Sequence, residues 1–194
     1  MISEDRGRLA DPVALVSPDL ENLSGFEAAL AAGWSPDPRR AGDQTFIHAQ
    51  LQALRQDRTK FLDALIKAGG GAGLRLDSHL FFIWDGEFCG AINLRFLPGT
   101  EELPPDVSGH VGYSVVAWKQ GRGYATAALR LLLAVARNEG LARLMILCNE
   151  DIHASQRVIE KACGEFFMHG PHSSDRPEQV KLYFWLRTTR QATG

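Results

Sequence analysis

Five consecutive residues near the middle of the chain carry side chains and backbone features that could bind an anion. Lys119, Gln120, Gly121, Arg122 and Gly123 follow an apolar, β-branched run and precede a long apolar segment. Glycine lets the backbone turn sharply and lets a ligand approach it, and the arginine guanidinium offers a planar set of donors suited to phosphate. Free N–H groups and the positive end of the helix dipole meet where a helix begins. The pattern therefore predicts a main-chain anion site between a strand and a helix.

The flanking segments must hold this turn in place. The run Val111–Trp118 is predicted to be a strand, and Tyr124–Glu139 a helix that is apolar almost all round and therefore buried. The turn matches neither the G-x-G-x-x-G pattern of dinucleotide loops nor the G-x-x-x-x-G-K-S/T pattern of nucleoside triphosphate loops. It is instead Gln120-x-x-Gly123-x-Ala125.

This turn resembles the coenzyme A pyrophosphate loop of the GNAT superfamily of N-acetyltransferases, whose signature is Q/R-x-x-G-x-G/A. The flanking Gly112-Tyr113-Ser114-Val115-Val116 and Tyr124-Ala125-Thr126 also resemble that family, as does the later Ser155-Gln156-Arg157-Val158-Ile159-Glu160-Lys161. The resemblance implies that acetyl-CoA is the cosubstrate and that strand, turn and helix residues bind it. The implied cofactor-binding residues are Val115, Val116, Ala117, Gln120, Gly121, Arg122, Gly123, Tyr124, Ala125, Thr126 and Ser155.

His110 is the candidate general base. It lies at the start of the predicted central strand and, by the period-2 alternation of strands, shares a face with Gly112 and Ser114. Relatives often place a carboxylate or a histidine on this strand near the amine, and a neutral histidine can accept a proton near pH 7. A structural histidine beside a loop is the competing interpretation, because most histidines are not catalytic.

The group that protonates the departing thiolate is left open by the sequence. Many relatives use a tyrosine in the helix that contains Ser155, but the alignment places Ile159 at that position. A water molecule or another tyrosine, such as Tyr183, could serve. Glu101, Glu102 and Asp106 form an acidic loop that could attract a cationic amine, but a solvated loop is the favoured interpretation, because isolated surface charges usually have no specific role.

Composition favours one domain over the 194 residues. Residues 1–11 are predicted to be a loose terminus, 12–79 an N-terminal strand and helices, and 80–188 the clearest GNAT-like core. A net charge of −2 argues against a nucleic-acid binder, and the three cysteines lack the spacing of a disulfide frame or a zinc site, so no metal is expected. The polar start and the lack of a long apolar run predict a cytoplasmic protein without a membrane span.

The order of elements predicts a mixed α/β fold of the GNAT-like acyl-CoA N-acyltransferase type. It has about seven mainly antiparallel strands, a central parallel pair that the resemblance implies is splayed, and about four helices. The predicted elements outside the central unit are a strand at Val13–Val16, a helix from Leu20 to Leu30, a helix at Phe46–Ala68 broken near residues 56–58, a hairpin of Leu80–Trp84 and Glu87–Phe96, a strand at Leu144–Cys148, a helix at Ile152–Cys163 that Gly164 ends, and strands at Phe166–Met168 and Val180–Leu186.

The predicted function is transfer of an acetyl group from acetyl-CoA to a primary amine by direct attack in a ternary complex. An acyl-CoA-binding sensor, or a GNAT-like module with impaired catalysis, is the alternative that the missing helix tyrosine suggests. The acceptor is expected to be a small-molecule or peptide amine rather than a nucleic acid or a membrane. A homodimer stays open.

Overall fold

The computed structural model describes residues 12–68, 76–105, 107, 109–171 and 180–189, and these residues form a mixed α/β fold. Within them lie seven strands and five α-helices. In chain order they are β1 (Ala14–Val16), α1 (Leu23–Ala31), α2 (Gln44–Gln56), α3 (Arg58–Ala68), β2 (Asp77–Trp84), β3 (Phe88–Phe96), β4 (Val111–Val115), α4 (Tyr124–Asn138), β5 (Arg143–Asn149), α5 (His153–Lys161), β6 (Glu165–Pro171) and β7 (Val180–Arg187). The predicted helix at Phe46–Ala68 is indeed broken, between α2 and α3.

The strands form two sheets. The first has the order β1-β2-β3-β4, with β1 antiparallel to β2, and the second has the order β5-β7-β6, with β7 antiparallel to both neighbours. The strands predicted to splay apart, β4 and β5, thus belong to different sheets. Just before β4, the His110 N–H donates to the Met145 carbonyl of β5 at 2.8 Å. The parallel direction of this pair stays a prediction.

The chain divides into two compact units. Of the described residues, the first unit contains those within 12–67, 80–92 and 113–128, and the second contains those within 68–79, 93–112 and 129–189. The assignment of one domain to residues 1–194 stays a prediction. None of the described helices is both long enough and apolar enough to cross a membrane.

An aromatic cluster forms the core of the first unit. Phe26 of α1 stacks on Phe82 with ring centroids 5.5 Å apart and meets Phe88 edge to face at 5.8 Å. The helix can approach β3 this closely because of Gly25, where an added Cβ would lie 2.5 Å from the Phe88 Cβ. Burial of such rings contributes a large share of a core's stability. The cluster thereby fixes the β2–β3 hairpin against α1.

In the second unit β7 has the predicted alternation. Leu182, Phe184 and Leu186 are buried, whereas Tyr183 and Trp185 between them are only half-buried. Leu186 lies opposite Leu144, and Phe184 opposite Ile146 on β5. One face of the sheet therefore packs inward, as period-2 patterning requires.

Three local predictions were wrong in detail. The central strand ends at Val115 rather than Trp118, because residues 117–119 form a 3₁₀ turn in which Trp118 is exposed. Helix α4 is not buried all round, since Leu131 is 41% exposed. Its apolar residues cover more of the circumference than the core can accept.

The end of α5 also differs from the prediction that Gly164 ends the helix. The left-handed residue is Cys163, with φ 64°, while the Gly164 N–H donates to the Ile159 carbonyl at 2.9 Å. A Cβ on Gly164 would lie 2.4 Å from the Ile159 Cγ2. Glycine is therefore needed at residue 164 for close packing rather than for its backbone angles.

Candidate functional site

The predicted anion-binding turn lies between β4 and α4, entirely within the first unit. Gly121 (φ 74°) and Gly123 (φ 90°) both have left-handed backbone conformations that favour glycine. Residues 120–123 are exposed, and a Cβ built on either glycine would meet nothing within 4 Å. The glycines are therefore required by the path of the chain, and the space beside them is open to a ligand.

Helix α4 begins directly after a glycine. The Ala127 N–H donates to the Gly123 carbonyl at 3.0 Å, which makes Gly123 the residue that starts the helical hydrogen bonds. Glycine has no side chain that could accept from the first turn, so the N–H groups of Tyr124, Ala125 and Thr126 lack intrahelical acceptors. These donors and the helix dipole favour an anion at this point.

Several backbone groups at the end of β4 already have hydrogen-bond partners within the protein. The Val116 N–H donates to the Cys89 carbonyl and the Val116 carbonyl accepts from Lys119 N–H, each at 3.0 Å. Neighbouring residues of a strand present their backbone groups to opposite edges, so Val115 faces away from β3. Its carbonyl accepts from the Gln120 Nε2 at 3.0 Å. The Val115 N–H is the backbone donor that this arrangement turns toward the outer edge of the sheet.

A glycine on β3 allows β4 to lie where it does. A Cβ on Gly90, which has φ 150°, would lie 2.2 Å from the Ser114 carbonyl oxygen and 2.9 Å from the Val115 Cα. No side chain fits into that gap. The position of Val115 therefore depends on Gly90.

A buried polar network lies beneath the turn. The Asp85 Oδ2 accepts from Lys119 Nζ at 2.8 Å and from the Tyr124 hydroxyl at 2.5 Å, and Lys119 also contacts the Glu87 Oε1 at 2.7 Å. Lys119 is 7% exposed and Tyr124 is 1% exposed. The ammonium group of Lys119 is thus turned into the protein, and Arg122 is an exposed cation of the turn.

The charges of this network hold each group in one protonation state. Burial alone would raise the pKa of Asp85, but the hydrogen bonds from Lys119 and Tyr124 outweigh it and keep the pKa well below its usual range. Burial would likewise lower the pKa of Lys119, and the carboxylates of Asp85 and Glu87 raise it above its usual value instead. Burial and the Asp85 charge raise the pKa of Tyr124. The ion pair therefore stays charged throughout the neutral range.

His110 lies in the second unit and is completely buried. Its Nδ1 accepts from the Met145 N–H at 2.9 Å, so the neutral ring carries its proton on Nε2, which has no hydrogen-bond partner in the described part of the chain. Burial lowers the pKa of His110 to about 4. The ring would have to give up the Met145 N–H before its one lone pair could take a proton. This geometry favours a structural role, and the base assignment stays a prediction.

The sequence matches a family model described as an acetyltransferase (GNAT) domain over residues 26–163. The chain belongs to the GNAT acetyltransferase family. Solved structures share its fold. The microcin C7 self-immunity acetyltransferase MccE, in complex with acetyl-CoA and AMP, is 13% identical with a TM-score of 0.56, over 94% of this chain and 97% of that one. No curated protein matches the sequence.

Two further solved structures have the same fold. The ribosomal L7/L12 α-N-protein acetyltransferase RimL, in complex with coenzyme A, is 14% identical with a TM-score of 0.58, over 94% of this chain and 98% of that one. Mycobacterium smegmatis RimJ, in complex with CoA-disulfide, is 18% identical with a TM-score of 0.58, over 90% of this chain and 81% of that one. At such identities the likeness establishes the fold.

The remaining residues singled out in this GNAT chain lie in the second unit. Ser155 is half-buried in the first turn of α5, and Ile159, on the same helix, is completely buried. Tyr183 is half-buried on β7 with its ring against that of Phe167, centroids 6.0 Å apart. Among the residues described, no group of histidine, cysteine and carboxylate side chains could hold a metal ion.

The acidic loop has a structural contact that the sequence did not indicate. Glu101 accepts from the Ala142 N–H at 3.1 Å and from the Arg143 Nε at 2.7 Å, which ties the loop to the start of β5. Glu102 is exposed, and Asp106 lies outside the described residues. Glu101 is therefore already paired.

Asp85 and the inward-turned Lys119 are the site residues that sequence reasoning missed. Asp85 was predicted only as part of a tight turn, and Lys119 only as one charge of a basic turn. The two are separated by 34 positions in the chain. No local pattern could have joined them.

Proposed function

We propose that this GNAT-family protein is an N-acetyltransferase that moves an acetyl group from acetyl-CoA to a primary amine by direct attack in a ternary complex. The observation that carries the proposal is the exposed turn with two left-handed glycines, the second of which, Gly123, directly precedes the helix and has no side chain to accept from its first turn. Such a turn offers several N–H donors to a diphosphate at once. RimL and MccE, which share the fold, are solved with coenzyme A and with acetyl-CoA.

In this proposal the main chain does most of the binding. The diphosphate lies on the N–H groups of residues 120–126, with the Arg122 guanidinium beside it. The pantetheine arm follows residues 115–117, where the Val115 N–H is the outward donor. Tyr124 contributes its N–H to the diphosphate, since its hydroxyl is bonded to Asp85.

The proposed reaction needs no protein nucleophile. The amine gives up its ammonium proton, its nitrogen attacks the thioester carbonyl carbon, and the carbon–sulfur bond breaks. The nitrogen loses a second proton as the amide forms, and the departing thiolate takes up one proton to become the free thiol. The Val115 N–H is the proposed donor to the carbonyl oxygen as negative charge develops there. Because the Nδ1 of His110 is occupied by Met145, the proposed first proton acceptor is water rather than His110.

The acceptor is proposed only as a class, a small-molecule or peptide amine. RimL is described as acting on the α-amino group of a ribosomal protein, and MccE as conferring immunity to a microcin. Both share the fold with this chain at low identity, so neither acceptor is assigned to it.

Titration calorimetry with coenzyme A and acetyl-CoA tests the proposal directly. We expect saturable binding of both, and release of free thiol when amines from a mixed panel of small amines and peptide N-termini are added with acetyl-CoA. The absence of measurable heat at high micromolar ligand would contradict it.

An acyl-CoA sensor is the second candidate. It is favoured by the burial of Ile159 at the position where many relatives have a tyrosine, and by the occupied Nδ1 of His110. Tight acetyl-CoA binding without thiol release on any amine of the panel would support the sensor and contradict the enzyme.

A further inference from the structure

One carboxylate oxygen accepts hydrogen bonds from the residues on either side of Gln120–Gly123, the turn proposed to bind the diphosphate and called the diphosphate loop below. The Asp85 Oδ2 accepts from the Nζ of Lys119, the residue just before the Gln120–Gly123 turn, and from the hydroxyl of Tyr124, the residue just after it. Asp85 itself belongs to the turn between β2 and β3. The loop is therefore closed at its base by a residue from a different hairpin.

The contacts around this oxygen are enclosed. The Asp85 side chain is 6% exposed, and Lys119 and Tyr124 are more than nine-tenths buried. The Tyr124 ring also lies under the turn, with the Lys119 Nζ 5.4 Å and the Arg122 guanidinium carbon 5.7 Å from its centroid. A charge pair removed from water interacts more strongly than an exposed pair, and its partners are held more firmly in place.

The direction of Lys119 decides what its charge can do. A lysine beside a phosphate loop would ordinarily be assigned to the phosphate, but this ammonium group is surrounded by Asp85, Glu87 and the Tyr124 ring. Its effect on an anion outside must therefore pass through the position of the loop. The network contains two carboxylates and one ammonium, so it adds no net positive charge at this point.

We propose that Asp85, Lys119 and Tyr124 are positioning residues that hold the diphosphate loop in its binding conformation before the ligand arrives. This inference rests on the proposed function, because it assigns to these residues the shape of the coenzyme A site. A loop that is already ordered loses less conformational freedom on binding, and that difference appears as affinity. If one end of the loop is freed, the loop must become ordered when the ligand binds, and the affinity for the ligand falls accordingly.

The test compares three variants by calorimetry with coenzyme A. Asp85→Asn removes the charge that both loop ends share and is expected to weaken binding about tenfold or more, or about 1.4 kcal/mol. Tyr124→Phe removes one hydrogen bond, keeps the ring, and is expected to weaken binding roughly threefold to tenfold. The matched control is Glu87→Gln, which removes the other carboxylate near Lys119. Because the Glu87 side chain is 68% exposed, this substitution is expected to change coenzyme A binding by less than about twofold.

Acetyl-pantetheine separates positioning of the loop from general damage to the fold. It lacks the diphosphate, so in Asp85→Asn and Tyr124→Phe the value of kcat/KM with acetyl-pantetheine should fall at least severalfold less than kcat/KM with acetyl-CoA, and the loss with acetyl-CoA should lie mainly in a raised KM. Circular dichroism reports whether each variant is folded. If Asp85→Asn is not folded, the coenzyme A affinities of Tyr124→Phe and Glu87→Gln are compared instead, and the positioning role requires that Tyr124→Phe bind more weakly.

The two proposals fail in different measurements. Wild-type protein that does not bind coenzyme A contradicts the proposed function and the positioning role together. Wild-type protein that binds coenzyme A, with folded Asp85→Asn and Tyr124→Phe variants that bind it within about twofold as tightly, overturns the positioning role alone. Equal losses with acetyl-CoA and acetyl-pantetheine would also overturn it, because the defect would then not depend on the diphosphate.

Discussion

Acid should destabilise this protein through His110. The ring is completely buried, its Nδ1 accepts from the Met145 N–H, and burial lowers its pKa to about 4 from an ordinary value of 6.5. Between these two pH values His110 is protonated in the unfolded chain but stays neutral in the folded chain. The free energy of unfolding therefore falls as the pH drops from about 6.5 toward 4, and below 4 this residue causes no further loss.

The size of the effect follows from the shift in pKa. The interval between 6.5 and about 4, at 1.36 kcal/mol for each pKa unit, corresponds to about 3 kcal/mol. This is a large part of the stability of a typical domain, which is about 5–15 kcal/mol. Urea unfolding followed by circular dichroism at several pH values between 7 and 4 measures it.

The matched control is His110→Asn. The asparagine Oδ1 can accept from the Met145 N–H much as Nδ1 does, but the side chain does not titrate in this range. We expect the variant to be less stable at pH 7 and to lose about 3 kcal/mol less than wild type on acidification. If both proteins show the same slope between pH 6.5 and 4, the buried neutral histidine described here does not control acid stability. A variant that keeps wild-type kcat and its pH profile would also exclude His110 as the base.

Other substitutions test the loop and its support. Gly123→Val should abolish coenzyme A binding in calorimetry. Gly42→Val introduces a side chain at a similar left-handed backbone angle (φ 76°) in another loop and should bind coenzyme A normally. Similar affinities in the two variants would contradict the proposed binding site. Arg122→Gln should weaken binding less than about tenfold and reduce its dependence on salt, as titrations at two ionic strengths would reveal; an unchanged salt dependence would mean that Arg122 does not face the phosphates. Gly90→Ala should lower the free energy of unfolding in urea by about 3 kcal/mol or more, because its Cβ would lie 2.2 Å from the Ser114 carbonyl oxygen; a loss no larger than that of Gly42→Ala would refute the close approach.

Features that depend on nearby residues were predictable from the sequence. The Asp85-Gly86 turn between β2 and β3, the break between α2 and α3, and the glycine turn before α4 all follow from residue preferences within a few positions. The family resemblance rested on the same stretch of sequence. These local signals were enough to predict the fold class.

Features that depend on tertiary contacts were not predictable in this way. Asp85 meets Lys119 across 34 positions, and His110 meets Met145 across 35. Periodicity gives the face on which a side chain lies but not its partner. Lys119 was predicted only as one charge of a basic turn, whereas its ammonium group is enclosed by carboxylates. His110 was considered as a base, whereas its Nδ1 accepts from a backbone N–H.

The hydrogen bond from the Gln120 amide to the Val115 carbonyl has a consequence for which substitutions the loop tolerates. What this position needs is an N–H donor on a stem long enough to reach back over the 3₁₀ turn. Glutamine and arginine, the two alternatives of the Q/R signature, both provide one. Glutamate has the same length as glutamine but would place a second acceptor against the carbonyl, so the closest match in shape is here one of the least suitable replacements.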